Sequence, residues 1–407
     1  MSWPTVRLKY ITRLQSGLTI DSSRALPEDS VTLPYLRVAN VQAGWLDLRS
    51  VTEVTVPRDV AASSTLCPGD VLMTEGGDLD KLGRGTLWSG EIPGCLHQNH
   101  VFALRVDSAK LEPRFLAYVT QSSISRHYFE STGSRTTNLA STNSSKILNL
   151  PILLPPLVEQ RRISNFLDRE ISKIASLVSA KSRLLALLDE KIDGKILECV
   201  GESPISGGSG ASTPAIPMRR VLSKTFRPAV PGSDVVTAFR DGQVTARSAR
   251  RPDGYTLASS EAALGQYVEV GDVVIHGLDG FAGAIGTSEA AGNCSPVYHV
   301  CTPHGNGNAL FLGRLLRVLA ISGYLGAFAT STRERAVDFR NWELFGRIPI
   351  PDVPVPVQDE VGAWISAARP LRVLMDRSFA LAEERRQALI TAAVTGQIDV
   401  TTARGVG

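Results

Sequence analysis

The sequence predicts an α+β protein: two similar mixed α/β domains separated by two long antiparallel coiled-coil helices, with approximate two-fold symmetry inside one chain. Three observations predict it. Leu167, Ile171, Ile174, Val178, Leu185, Leu188 and Ile192 follow one another at heptad spacing, with Lys181 filling the one open place. A shift of 198 positions lays Pro151 on Pro349, Ile152 on Ile350, Pro156 on Pro354, Gln160 on Gln358, Phe166 on Trp364 and Leu167 on Ile365. The seam therefore has a second copy to lie on, and a lone apolar stripe needs one. Finally, short β-branched runs between Gly, Pro and Asp turns recur on both sides of the first helical segment.

Length and composition bound the problem. A chain of 407 residues suggests two or three domains, each large enough for a core, and 43% hydrophobic with 20% charged residues is ordinary globular content. No run approaches the ~18 apolar residues of a membrane span, and MSWPTVRLKY lacks a signal-peptide core. The expectation is a cytoplasmic protein with no membrane partner. Five cysteines, an odd number, predict reduced thiols. A net charge of +3 permits nucleic acid without demanding it.

Residues 1–150 read as the first domain. Its strands are expected in LPYLRVANV (33–41), VTEVTV (51–56), DVLMT (70–74) and HVFALRV (100–106), and its helix over 113–127 before the polar loop STGSRTTN. Residues 151–200 form the first helical repeat, whose opening prolines Pro151, Pro155 and Pro156 argue against a strand interior. Ser172 and its counterpart Pro370 predict a break in each repeat, with long helices over about 173–200 and 370–395, each about 40 Å long. Glu190 and Lys191 answer Glu384 and Arg385 at a shift of 194, so the first repeat holds four extra residues, about one turn.

GESPISGGSGASTPA (201–215) is a Gly/Ser/Pro linker. Residues 216–348 repeat the first domain's plan: Val270-Gly271-Asp272 answers Pro68-Gly69-Asp70, and Cys294 with His299 answers Cys95 with His100. PHGNGNALFLGRLLRVLAIS carries the matching helix, and TSTRERAVDFRN the matching polar loop. Residues 349–400 form the second helical repeat, with Leu371 and Leu389 expected in the helix-pair core and Gly396 suited to end the helix.

Two similar but unlike domains on paired helices suit a target with two unlike halves, since duplex DNA also has approximate two-fold symmetry. PPLVEQRRISNFLD (155–168), the coiled-coil segment after it and the closing LITAAVTGQIDV (389–400) resemble the two helical repeats of the specificity subunit of type I restriction-modification enzymes. The likeness runs through nearly the whole chain in order. The second repeat departs from it, with Val357 where the first has Glu159. The resemblance implies a non-catalytic subunit whose domains each recognise half of a bipartite, asymmetric site in double-stranded DNA. Its helices would space the halves and dock two adenine methyltransferase subunits, and endonuclease/translocase subunits would join them. No cofactor is then expected on this chain; S-adenosylmethionine, ATP and Mg belong to the partners. The sequence agrees in lacking both an Asp/Asn-Pro-Pro-aromatic tetrapeptide and a phosphate-binding Gly-x-x-x-x-Gly-Lys-Ser/Thr loop.

Candidate DNA contacts are Arg135 in the first polar loop, Arg333, Arg335 and Arg340 in the second, and Arg37, Asn40 and Arg84 elsewhere in the first domain. Arginine forks onto guanine O6 and N7 or onto phosphate, though any of these is equally a solvated loop residue. Gln160, Arg161, Arg162, Glu190, Lys191 and Gln358 are expected on the surface as partner contacts, with solvated helix polarity as the plain alternative. Cys294, His299, Cys301 and His304 raise a competing reading, a zinc-dependent enzyme, but their spacing fits no common zinc module. A coiled-coil scaffold that binds protein is the third class.

Overall fold

The structure is a computed structural model that describes residues 3–20, 27–77, 82–83, 85–135, 140–201, 214–250, 265–328 and 338–400. The chain divides into two compact units, Met1–Ser179 with Arg377–Gly407, and Ala180–Asp376. The boundaries fall inside the two long helices and not at their starts as the sequence suggested. Each globular domain shares its core with a stretch of both helices.

In the first unit a four-stranded antiparallel sheet runs in the order Thr12–Ser16, Val101–Val106, Val71–Thr74, Gly85–Leu87. Period-two alternation sends Val71, Met73, Phe102 and Leu104 to one face and Leu72 and Ala103 to the other, so both faces are covered. On the first face lies helix Pro113–Gln121, with Phe115, Leu116 and Val119 inward. Glu112 caps it by accepting the Phe115 N–H at 2.6 Å. The helix expected over 113–127 is in fact two. Ser122 leaves helical geometry and its hydroxyl caps a second helix, Ser123–Thr132.

The second unit repeats this plan with Leu222–Thr225, Tyr298–Pro303, Val273–His276 and Ile285–Thr287 in the same order. Val273, Ile275 and Cys301 face helix Ala309–Ile321, and Val274 and Val300 face away. The matched Gly-Asp turns agree closely. Gly69 and Gly271 take φ of 94° and 96°. Buried Asp70 accepts the Cys67 N–H and grips Arg105 through two 2.8 Å bonds. Asp272 accepts the Glu269 N–H and grips Arg227 at 2.7 and 3.1 Å.

The prolines at the repeat starts do not exclude strands. Pro151–Leu153 pairs with Thr5–Arg7, and Pro349–Pro351 with Ala215–Pro217, burying Ile152 and Ile350. A two-stranded ladder needs only alternate N–H groups, so proline is tolerated at the others. The predicted breaks are also absent. Leu157–Val200 and Val355–Val394 are single helices of 44 and 40 residues, about 66 and 60 Å long. Pro370 lies inside the second and leaves the Ser366 carbonyl without its usual donor; both residues are exposed, so water can replace it. Gly396, at φ 72°, follows the end of that helix.

The seam is the shielded side of the first helix. Leu167 and Ile192 are buried, Ile171, Ile174, Val178, Lys181, Leu185 and Leu188 are half-buried, and Leu177, Leu184 and Leu187 are exposed. In the first unit Ile163, Phe166 and Leu167 share a core with Ile390, Ala393 and Val394, and Leu389 packs at its margin. In the second, Lys191 sits 4.9 Å from the Trp364 ring and Asp189 pairs with Arg372, so the helices run antiparallel there. Leu371 is half-buried.

Candidate nucleic-acid interface

In the first unit three short strands form one ladder. Gly76–Gly77 pairs with Ala140–Ser141, which pairs with Ser134–Arg135. Arg84 lies outside the described residues, and for Arg135 the backbone pairing with Ala140 is what the structure describes. The glycines around Arg84 have a packing reason. A Cβ on Gly83 would stand 2.3 Å from the Phe129 ring, and one on Gly85 2.0 Å from Thr120 Oγ1.

Arg37 is exposed, as a DNA contact requires, but Asn40 is not. Its side chain is 2% exposed, accepts the Arg37 N–H at 2.8 Å, and donates to the carbonyls of Asp47 and Ser50 at 2.8 and 3.4 Å. Asn40 therefore ties the Arg37 turn to the Asp47–Ser50 turn, and its amide is spent inside the fold.

The second unit builds a related edge. The Phe339 N–H donates to Gly277 O at 2.8 Å, and the Gly277 N–H to Val297 O at 3.1 Å. His276 Nδ1 accepts from the N–H groups of Leu278 and Asp279, both at 3.1 Å, and so fixes the next turn. Arg340 is exposed and clasped by Asp338, and Arg240 pairs with Asp279 at 2.9 Å. Arg250 stacks 4.3 Å from the Phe239 ring and pairs with Asp241. Arg333 and Arg335 lie outside the described residues. Neither Arg240, which meets Asp279 only through the fold, nor the exposed Arg49, which pairs with Asp47 at 2.7 Å, is among the residues predicted from sequence.

Two expected partner contacts are instead internal. Gln160 is fully buried: its Oε1 accepts the Glu112 N–H at 2.8 Å, and its Nε2 donates to Lys110 O and Pro155 O at 2.9 and 2.8 Å. Gln358 is 5% exposed, accepts the Asn308 N–H at 2.9 Å and donates to Val353 O at 2.7 Å. Each glutamine latches a helical repeat to the cap of its own domain's helix, which explains why both copies carry it. Arg161, Arg162, Glu190 and Lys191 are exposed; Arg162 lies 3.6 Å from Glu159.

The four zinc candidates do not converge. Cys294 packs in one core and Cys301 in another. His299 donates from Nε2 to Phe339 O at 2.6 Å, and His304 bonds the Ser223 hydroxyl at 2.9 Å. Burial pushes the Cys294 thiol up to about 12, unlike a metal-ready thiolate. Among the described residues no group of three or more His, Cys, Asp or Glu is placed to hold a metal. The match of His299 to His100 also fails on register. With Asp272 laid on Asp70, His299 opposite Ile275 stands where Phe102 stands opposite Met73.

Each domain's main helix is thus latched at its cap to a helical repeat. Residues 2–183 match the type I restriction modification DNA specificity domain. Those residues, under half of the chain, are similar to that domain. A protein of Methanocaldococcus jannaschii, described as a candidate type I restriction enzyme MjaX specificity subunit, is 26% identical over 168 residues, 41% of this chain. The matched stretch spans 39% of that relative. The fold is similar to a chain from a structure of complex assembly and conformational transition of the type I R-M system, with TM-score 0.60 and 16% identity over 98% of both chains. The HsdS subunit from Thermoanaerobacter tengcongensis aligns over 98% of this chain and 97% of its own, at 16% identity and TM-score 0.41. No helix among the described residues is long and apolar enough to cross a membrane.

Proposed function

We propose that this chain is the DNA-recognition subunit of a type I restriction-modification complex, and that its two domains each read one half of a bipartite, asymmetric target. The observation that carries the reading is the repetition, in the second unit, of the sheet order, Gly-Asp turn and glutamine latch of the unit whose residues match the specificity-domain family. The same scaffold with different loops suits two different half-sites. The exposed faces of the long helices, with Arg161, Arg162, Glu190 and Lys191, are the proposed docking surface for two adenine methyltransferase subunits. Endonuclease/translocase subunits complete the assembly. The chain itself is non-catalytic, and S-adenosylmethionine, ATP and Mg are bound by the partners.

The test is methylome sequencing of a host that carries the chain with its methyltransferase partner. A two-part methylated adenine motif is expected, lost when the chain is omitted. Methyl transfer by the chain alone would overturn the assignment. Deleting four residues within 181–188 shortens the helix by about 6 Å, of the order of two base steps. Unchanged half-sites with altered spacing are expected, and unaltered spacing at full activity removes the ruler role.

A further inference from the structure

We propose that Arg49 and Arg340 each read a guanine with a guanidinium held in place by the aspartate two residues before it. Asp-x-Arg occurs twice in the chain, once in each domain, as Asp47-Leu48-Arg49 and Asp338-Phe339-Arg340. Both fold into the same clip. The Arg49 N–H and Nε donate to Asp47 Oδ1 at 3.2 and 2.9 Å, and its Nη2 donates to Oδ2 at 2.7 Å. The Arg340 N–H and Nε donate to Asp338 Oδ1, both at 2.9 Å, and its Nη2 donates to Oδ2 at 2.5 Å.

The middle residue anchors each clip inward. Leu48 packs against the core that holds Leu36, Val41 and Trp88, and the Phe339 ring lies tilted against Phe345 with centroids 4.5 Å apart. A buried polar side chain then pins the backbone on each side: Asn40 Nδ2 donates to Asp47 O, and His299 Nε2 donates to Phe339 O. The aspartate and arginine are left pointing outward, with the arginine side chains 85% and 59% exposed.

Such exposed pairs add little to stability, while holding a long side chain still costs rotamer entropy. Their use is in the geometry. The carboxylate takes the Nε–Nη2 edge and leaves the Nη1 hydrogens and the outer Nη2 hydrogen as a planar fork, the donor pattern that meets guanine N7 and O6. Phosphate is the poorer occupant, because the adjacent carboxylate repels it and a phosphate contact needs no fixed plane. A cytosine or adenine edge beside that guanine, by contrast, offers amino hydrogens that the carboxylate accepts. The Arg49 hydrogen bonds hold the Asp47 carboxyl down to about 2, so it stays an acceptor throughout the physiological range.

The assignment rests on the DNA-recognition reading above. It is tested in the complex with the methyltransferase partner, on duplexes substituted one base pair at a time across the methylated motif. Arg49→Lys and Arg340→Lys keep the charge and lose the fork. Each should lower discrimination at one G·C pair, in one half-site, by about tenfold or more, with non-specific binding and unfolding midpoint unchanged. Asp47→Asn and Asp338→Asn should relax the same positions. The assignment is overturned if Arg49→Ala and Arg340→Ala weaken all duplexes alike and reduce the salt slope by about one, the mark of a phosphate contact, or if they change nothing. A wild-type complex with no preferred site would instead sink the recognition reading itself.

Discussion

Gln358 accepts the backbone N–H of Asn308 at 2.9 Å, and Asn308 in turn caps helix Ala309–Ile321 by accepting the Phe311 N–H. Gln160 does the same for Glu112 at the cap of Pro113–Gln121. One buried carboxamide thus joins the start of each long helix to the start of its domain's main helix. A side chain that both donates and accepts is needed, because the groups it meets are an N–H and carbonyls.

Replacing Gln160 by Leu leaves one buried N–H and two carbonyls unpartnered and should cost about 2–4 kcal/mol. Gln358→Leu strips one N–H and one carbonyl and should cost less. Urea unfolding of the variants measures both, and a loss below about 0.5 kcal/mol for Gln160→Leu would show that the latch is dispensable.

The second domain grips its helices through charge. Arg314 donates from Nε to Asp193 at 2.5 Å and from Nη2 to Asp189 at 3.0 Å, and Arg317 lies 3.6 Å from Asp193, with both arginine side chains nearly buried. Burial, then the neighbouring Arg314, lowers the Arg317 pKa. Asp193→Ala should therefore destabilise the fold by about 3 kcal/mol, because two buried guanidiniums lose their shared counter-charge. In an Arg317→Met background the same change should cost less, and strict additivity would refute the coupling.

Burial lowers the pKa of His97 and His299 below the usual 6.5. Both stay neutral in the fold, whereas the unfolded chain binds protons below 6.5. Their contribution is complete above 6.5 and is lost as pH falls towards each folded value, by up to about 1.4 kcal/mol per pH unit for each histidine. Guanidinium unfolding between about pH 7 and 5, where carboxylates remain ionised, should show falling stability, and His97→Gln with His299→Gln should flatten the profile. A wild-type stability that is level across this range would contradict it.

Burial raises the thiol pKa of Cys95 to about 11 and of Cys294 to about 12, and pushes Cys301 up as well. Native protein treated with iodoacetamide near pH 8 should be labelled at the partly exposed Cys67 and Cys199 and spared at the other three. Rapid labelling of Cys294 or Cys301, read by mass spectrometry, would mean that these cores are open.

The sequence by itself determined what depends on periodicity and repetition. Heptad spacing marked the side of Leu157–Val200 that is shielded, short β-branched or apolar runs between turns marked the strands Val71–Thr74 and Val101–Val106, and the shift of 198 paired Gln160 with Gln358 and Ile152 with Ile350. These features are set by local geometry, so residue order shows them. Tertiary structure alone decided where polar side chains point. Gln160, Gln358 and Asn40 read as surface residues because they are polar, yet each is buried against backbone groups that are distant in sequence or unnamed by any local rule. It also decided that Ser172 and Pro370 do not end their helices: the long helical runs on either side are held by packing on the domains, and the exposed Ser366 carbonyl that Pro370 leaves without its donor is open to water. Hydrogen-bond partners come from the fold, and a linear pattern carries no record of them.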